Sequence, residues 1–160
     1  MPRNFLIGIT LLVGMSCTDQ LAYFKYQSTD NGKWGKDQLM EFSFSDLDST
    51  RAYNMYITLR NDEQYPYSNL FLIAEMTGPD GTSERDTLEY EMTDASGKWM
   101  GTGYGSVKEN KLWYRENIVF PDSGVYNVTV SHAMRRNGSV EGIQELPGVL
   151  DVGLQIEKKQ

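Results

Sequence analysis

The chain has 160 residues, with 22 acidic against 15 basic side chains and a formal net charge of −7. That balance excludes a nucleic-acid binder, which would carry a basic stripe, and disfavours electrostatic docking on anionic lipid. One histidine and one cysteine leave too few ligands for a zinc or iron site, and no cofactor is expected.

The first segment, MPRNFLIGITLLVGMSC, has a basic tip at Arg3, an apolar core from Phe5 to Val13 and small residues at its end. This is the layout of an export signal, and the core is too short for a bilayer span of ~20 residues. It stops at Cys17, the single cysteine. Such a segment resembles a bacterial lipoprotein signal, in which the cysteine becomes the first mature residue and carries acyl chains, palmitate among them. The chain departs from that motif at Gly14, where leucine is preferred. The alternative is a buried thiol after a plain signal peptide, but a lone thiol has no disulfide partner in an exported protein. The expected organisation is a signal peptide over 1–16, a short tether over 17–22 and one domain over 23–160. At ~3.3 Å per extended residue the tether reaches less than about 20 Å, so the folded body lies close to the membrane.

Beyond the tether, apolar residues recur at the period of strands. Runs at 22–27 (AYFKYQ) and 39–44 (LMEFSF) come first. YNMYITLRN (53–61) alternates Tyr53, Met55, Ile57 and Leu59 against polar partners, which predicts a half-buried strand. NLFLIAEMT (69–77) is nearly continuous apolar, which predicts a strand covered on both faces. Leu88, Tyr90 and Met92 then face one way while Thr87, Glu89 and Glu91 face water. KLWYRENIVF (111–120) follows, then Tyr126, Val128 and Val130, and finally Leu150, Val152, Leu154 and Ile156. Between these runs stand Asn31-Gly32, Asp80-Gly81, Ser96-Gly97, Ser123-Gly124 and Asn137-Gly138, pairs that supply positive φ or cap their own backbone. No window holds helical periodicity for three turns. The expected fold is all-β, a two-sheet antiparallel β-sandwich of jelly-roll or Ig-like type. DSGVY (122–126) also predicts a tyrosine corner in which Tyr126 bonds back to nearby backbone.

Chemistry-bearing residues are sparse. His132 directly follows Ser131 in a strand, so the two side chains point to opposite faces and cannot form a nucleophile–base pair. Paired carboxylates need no histidine, and Glu75, Glu116 and Glu141 are the candidates. Glu116 is compatible with a semi-buried acid of raised pKa, with a bulge position, or with pairing to Arg115 or Arg136. Asp46, Asp48 and Asp62 offer oxygen ligands for calcium, without a twelve-residue loop pattern. Among the aromatic residues, Trp34, Trp99 and Trp113 would form the platform of a glycan-binding lipoprotein, the rival functional reading. Aromatics are equally at home in a sandwich core, and the glycines of GKWMGTGYG (97–105) then mark a close bend. YPYSN (65–69) must be a connection, stiffened by Pro66. Tyr65, Pro66, Tyr67 and Asn69 are expected to contact a protein partner, the other reading being that the two tyrosines plug one end of the sandwich.

Several colinear stretches together resemble one family, the gliding-motility lipoprotein H family of the Bacteroidetes (GldH). They are RNDEQYPYSNLFL (60–72), DTLEY (86–90), GKWMGTGYG (97–105), FPDSGVY (120–126) and MRRNGSVEGIQELPGVLDVGLQIEK (134–158). The resemblance implies an outer-membrane lipoprotein of the cell envelope that assists gliding motility and type IX secretion. It implies no enzyme activity and no catalytic residues. Its partners would be other gliding and secretion proteins of the envelope, with the lipid bilayer reached through acylated Cys17. Surface-exported lipoproteins of this phylum carry an acidic run after the cysteine. Here Thr18, Asp19, Gln20 and Leu21 supply one acid, so the body is expected to face the periplasm.

If Cys17 is acylated, Cys17→Ala should release the protein to the soluble fraction or leave uncleaved precursor. Mass spectrometry of the mature N-terminus checks this, and an unmodified mature Cys17 would refute it.

Overall fold

Period-two alternation does build strands here, and their pairing follows one rule. The computed structural model describes residues 20–160, and these contain no helix. The strands are β1 (Leu21–Ser28), β2 (Lys33–Gly35), β3 (Met40–Phe44), β4 (Tyr53–Asn61), β5 (Asn69–Thr77), β6 (Ser83–Glu91), β7 (Lys108–Ile118), β8 (Tyr126–His132), β9 (Glu145–Pro147) and β10 (Val149–Lys158). β1 pairs with β10, β2 with β9, β3 with β8, β4 with β7 and β5 with β6, all antiparallel. The chain is therefore one long hairpin whose tip is the Asp80-Gly81 turn. Two cross-pairings, β10 with β4 and β5 with β8, wind that hairpin into sheets of order β1-β10-β4-β7 and β3-β8-β5-β6. Nested pairs wound into two four-stranded sheets are a jelly roll.

Turn chemistry fits this path. Asn31 and Gly32 take φ of 53° and 71°, the left-handed pair of a two-residue hairpin, and Lys33 N–H donates to the Asp30 carbonyl at 3.0 Å. Gly81, Gly97, Gly124 and Gly138 also have positive φ. The tyrosine corner is present: the Tyr126 hydroxyl donates to the Asp122 carbonyl at 3.2 Å.

The core lies between the sheets. It holds Met55, Ile57 and Leu59 of β4, Leu70, Leu72 and Ala74 of β5, Val128 and Val130 of β8, and Val152, Leu154 and Ile156 of β10. Aromatic rings close one end, where Phe44, Phe120 and Tyr126 stack within 5.0–5.7 Å of one another. The short β2–β9 ribbon closes the other with Trp34, fully buried, its Nε1–H donating to the Gln38 carbonyl at 2.9 Å.

Four details differ from the sequence expectation. Residues 69–77 are covered on one face only, with Phe71 and Ile73 half-buried outside; no layer lies over that sheet. Residues 53–61 are the reverse, since Tyr56 and Thr58 on the outer face are buried. β4 is central, and side chains from its neighbours lie across it: Trp113 packs on Tyr56 at 4.6 Å and the Lys111 ammonium sits 4.1 Å over the same ring. Leu150 falls at a bulge between Val149 and Asp151 and is half-buried rather than part of the inner row. Finally, β1 begins at Leu21, so Leu21 and Ala22, assigned to the tether, are in the sheet.

Both open sides of the sandwich are clasped by side chains. Arg115 of β7 reaches Asp86 at 2.7 Å and also Glu84, and the Tyr90 hydroxyl donates to the Trp113 carbonyl. Opposite, the Gln27 side chain of β1 donates to the Glu41 carbonyl of β3 and accepts from its N–H. These clasps occupy edges that would otherwise invite a foreign strand.

His132 is buried against Trp34, ring centroids 5.4 Å apart. Its Nε2–H donates to the Trp34 carbonyl at 3.1 Å, while Nδ1 is buried without a partner. Burial holds its pKa below the ordinary imidazole value, the Trp34 bond opposes that, and the charge of Lys36 adds to it. The unfolded chain takes up a proton as pH falls through about 6.5 while the folded chain does not, so stability declines with acidification from that point. Asp48, Asp80 and Asp94, held below the usual carboxylate range by bonds from Thr50, Thr82 and Ser96, lose their contribution only below about pH 4. Circular dichroism melts at pH 7.5 and 5.5 should show a falling midpoint in the wild type. His132→Phe, whatever its absolute stability, should flatten that slope.

Candidate functional site

The connection after β4 is built around Tyr65. Asp62 accepts the Gln64 N–H on its carboxylate at 2.9 Å and the Tyr65 N–H on its carbonyl at 3.2 Å, which curls the loop. Tyr65 then turns inward, 2% exposed, and its hydroxyl donates to the Asn69 carbonyl at 2.7 Å. Burial, with the neighbouring Tyr67, pushes that hydroxyl well above the ordinary phenol pKa. Tyr67 and Trp99 pack on the Tyr65 ring at 5.9 and 6.0 Å. Gly148, at φ 79°, comes so close that a Cβ there would stand 2.1 Å from the Tyr65 nitrogen. Tyr65 is thus a plug with no outward surface. Pro66 is exposed, and Tyr67 and Asn69 are half-buried.

A cleft of about 380 Å³ opens beside this loop, with Pro66, Tyr67, Asn69 and Phe71 on one wall and Met134, Arg135, Arg136 and Asn137 on the other. Its cause lies in the sheet. β5 and β8 stay paired only as far as Leu72 opposite His132. Ala133 N–H still donates to the Phe71 carbonyl at 2.8 Å, but Phe71 N–H finds only the Met134 sulfur at 3.2 Å. The chain then turns away through Asn137-Gly138, leaving the first residues of β5 without a strand neighbour on that side. A second depression, of about 490 Å³, meets the first at Arg136 and is lined by Glu141, Gly142 and Glu145 among others.

Charge distinguishes the first cleft. Among the described residues Arg51 pairs with Asp48, Arg60 with Asp151, Arg85 with Glu75, and Arg115 with Glu84 and Asp86. The remaining two, Arg135 and Arg136, are exposed and have no ion pair there. The cleft also lies at the end of the sandwich remote from the start of β1. Leu21 sits beside Glu157 at the Tyr53 end of β4, whereas the loop carrying the cleft leaves from Asn61.

The other sequence candidates are not gathered into sites. Glu75 on β5 faces Arg85 at 3.8 Å, Glu116 is exposed beside Asn117 (φ 56°) at a bulge of β7, and Glu141 lines the second depression. The bulge alternative is thus the one realised for Glu116. Asp46 and Asp48 precede β4 and Asp62 follows it, at opposite ends of the strand, so they share no ion. Among the described residues no group of three or more His, Cys, Asp or Glu is placed to hold a metal. Trp34 is in the interior, Trp99 is half-buried on Tyr65, and Trp113, 53% exposed, lies on the outer face of the other sheet. They make no common platform. Cys17 lies outside the described residues. Sequence reasoning had not singled out Arg135, Phe71 or Met134 and had named Arg136 only as an ion-pair partner for Glu116, although the adjacent arginines of MRRNG were the available signal.

The family model described as "GldH lipoprotein" matches residues 21–156. The chain belongs to the GldH lipoprotein family. Among curated relatives it is 48% identical over 154 residues to the gliding motility lipoprotein GldH homolog of Christiangramia forsetii, covering 96% of this chain and 94% of the relative. It is 39% identical over 155 residues to the gliding motility lipoprotein GldH of Flavobacterium johnsoniae, covering 95% and 96%. Among solved structures it is similar to the VP2 subviral particle of infectious bursal disease virus (TM-score 0.37, 14% identity, 84% of this chain). The T13 particle of the same virus gives a TM-score of 0.39, 14% identity and 95% coverage. The chain spans only 30% and 35% of those viral chains. Both walls of the cleft fall inside the GldH span, and Cys17 precedes it.

Truncating the plug and truncating the cleft wall should have different effects. Tyr65→Ala should cost about 3–5 kcal/mol of stability, as removal of a large buried aromatic does. Tyr67→Ala should cost about 1 kcal/mol. Urea titration followed by circular dichroism measures both.

Proposed function

We propose that this member of the GldH family is a non-enzymatic accessory subunit of the gliding machinery and of the associated type IX secretion apparatus. An acyl anchor on Cys17 holds it in the outer membrane with its body in the periplasm, and it contacts another envelope protein through Pro66, Tyr67 and Asn69 at the cleft. The observation that carries this reading is full-length similarity to two proteins named gliding motility lipoproteins. Geometry supports the contact role. With β1 starting at Leu21, the anchor lies within ~15 Å of one end of the sandwich, and the cleft opens at the other. Pro66 and the buried Tyr65 hold the loop in one conformation, which lowers the ordering cost of binding.

A second reading rests on Trp113. Its exposure beside Tyr56 on a sheet face suits stacking on a sugar ring, as a glycan-binding lipoprotein would require. Glycan-array retention abolished by Trp113→Ala at unchanged melting temperature would favour it.

Cells carrying Tyr67→Ala with Asn69→Ala should keep folded, membrane-bound protein yet spread poorly and secrete less. Normal gliding with that variant would move the contact surface elsewhere. Protease added to intact cells should leave the protein uncut, and digestion without lysis would contradict the periplasmic orientation.

A further inference from the structure

We propose that the cleft between residues 66–71 and 134–137 binds an extended acidic segment of a partner protein, with carboxylates on Arg135 and Arg136. This rests on the reading that this end of the molecule is a contact surface, and it names the chemistry of what is contacted.

Three observations converge on an acidic peptide. First, the chain carries a net charge of −7, and the other four described arginines are neutralised by its own carboxylates. Two adjacent guanidinium groups remain unpaired in one cleft. A guanidinium fork matches a carboxylate with two parallel hydrogen bonds, which makes arginine the suited residue for that recognition. Second, the wall facing them carries two half-buried aromatic rings, Tyr67 and Phe71. Inorganic phosphate or a lipid headgroup has no use for two rings, whereas a peptide can pack a side chain against them. Third, the backbone at the start of β5 is open on this side. Phe71 N–H is spent on a thioether, a weak acceptor, and Asn69 and Asn137 add amide donors and acceptors for a peptide backbone. The cleft's volume falls in the range of pockets that enclose small ligands. Because the arginines are exposed, binding should weaken as salt screens them.

The test uses full-length acylated protein in detergent and the blocked, fluorescein-labelled peptide EDFED, read by anisotropy. KKFKK serves as the charge-reversed control, and phosphatidylglycerol vesicles serve as an anionic lipid probe. EDFED should bind, KKFKK should not, and binding should fall on raising salt. Arg135→Glu with Arg136→Glu should weaken EDFED by about tenfold or more with an unchanged melting temperature. The Arg135→Lys, Arg136→Lys variant keeps the charge but loses the forks, and should fall between. No EDFED binding, or EDFED binding unchanged by the double reversal, overturns the proposal. So does arginine-dependent retention on the vesicles without peptide binding, which would assign the cleft to lipid. Gliding of cells carrying the double reversal separates the two claims. Loss of gliding by a folded variant whose parent never binds EDFED leaves the contact surface standing and removes the acidic peptide.

Discussion

Each strand of this chain pairs with its mirror image about the Asp80-Gly81 turn, so the hydrogen bonds that close the structure join residues as distant as Leu21 and Glu157. Every other feature depends on that nesting. β10 is held between β1 and β4, and without it the first sheet falls into an isolated strand and a pair. The inner rows of the two sheets can face each other only after the long hairpin has been wound. Contacts of such separation are slow to form, because loop closure precedes any return in packing. The last of the described strands, β10, is thus the one that completes the core.

Winding leaves four strand edges, and the structure handles them with polar clasps rather than by closing a barrel. Arg115 ties β7 to β6 through two carboxylates, and Gln27 ties β1 to β3 through both of its amide atoms. Arg115 is only 19% exposed, so its pairs are screened less than ordinary surface pairs. Sheet hydrogen bonding is also left open where β8 departs from β5. The departure makes room for the cleft, so topology and candidate site have the same origin.

How much of this was legible beforehand varies with the range of the interaction. Strand positions and turns follow from nearest neighbours, and the alternation of β8 or the φ of Gly81 and Gly138 could be read directly. Burial of an outer face depends on strands far away in sequence. Thr58 and Tyr56 are covered by residues of β7 and β1, whereas the outer face of 69–77 stays half-exposed despite its apolar run. The tyrosines of YPYSN illustrate the same limit. Tyr65 is a plug because Gly148, eighty-three positions later, lets the backbone close over it. No pattern local to the loop distinguishes Tyr65 from Tyr67. The unpaired state of Arg135 and Arg136 was likewise invisible, since it is known only once the other four described arginines have their partners.

The placement of β1 has a mechanical consequence. β1 runs from the Leu21 end of the sandwich toward the end that carries the cleft, bonded to β10 from Leu21 to Ser28. A pull between an anchor at the chain start and a partner at the cleft runs along the strand axis. It loads those hydrogen bonds together, in shear, instead of opening them one after another as a zipper would. Rupture under load is governed by the rate of unfolding rather than by equilibrium stability, and shear raises the force needed to reach it. The first strand is thereby suited to carry tension applied between the start of the fold and the cleft.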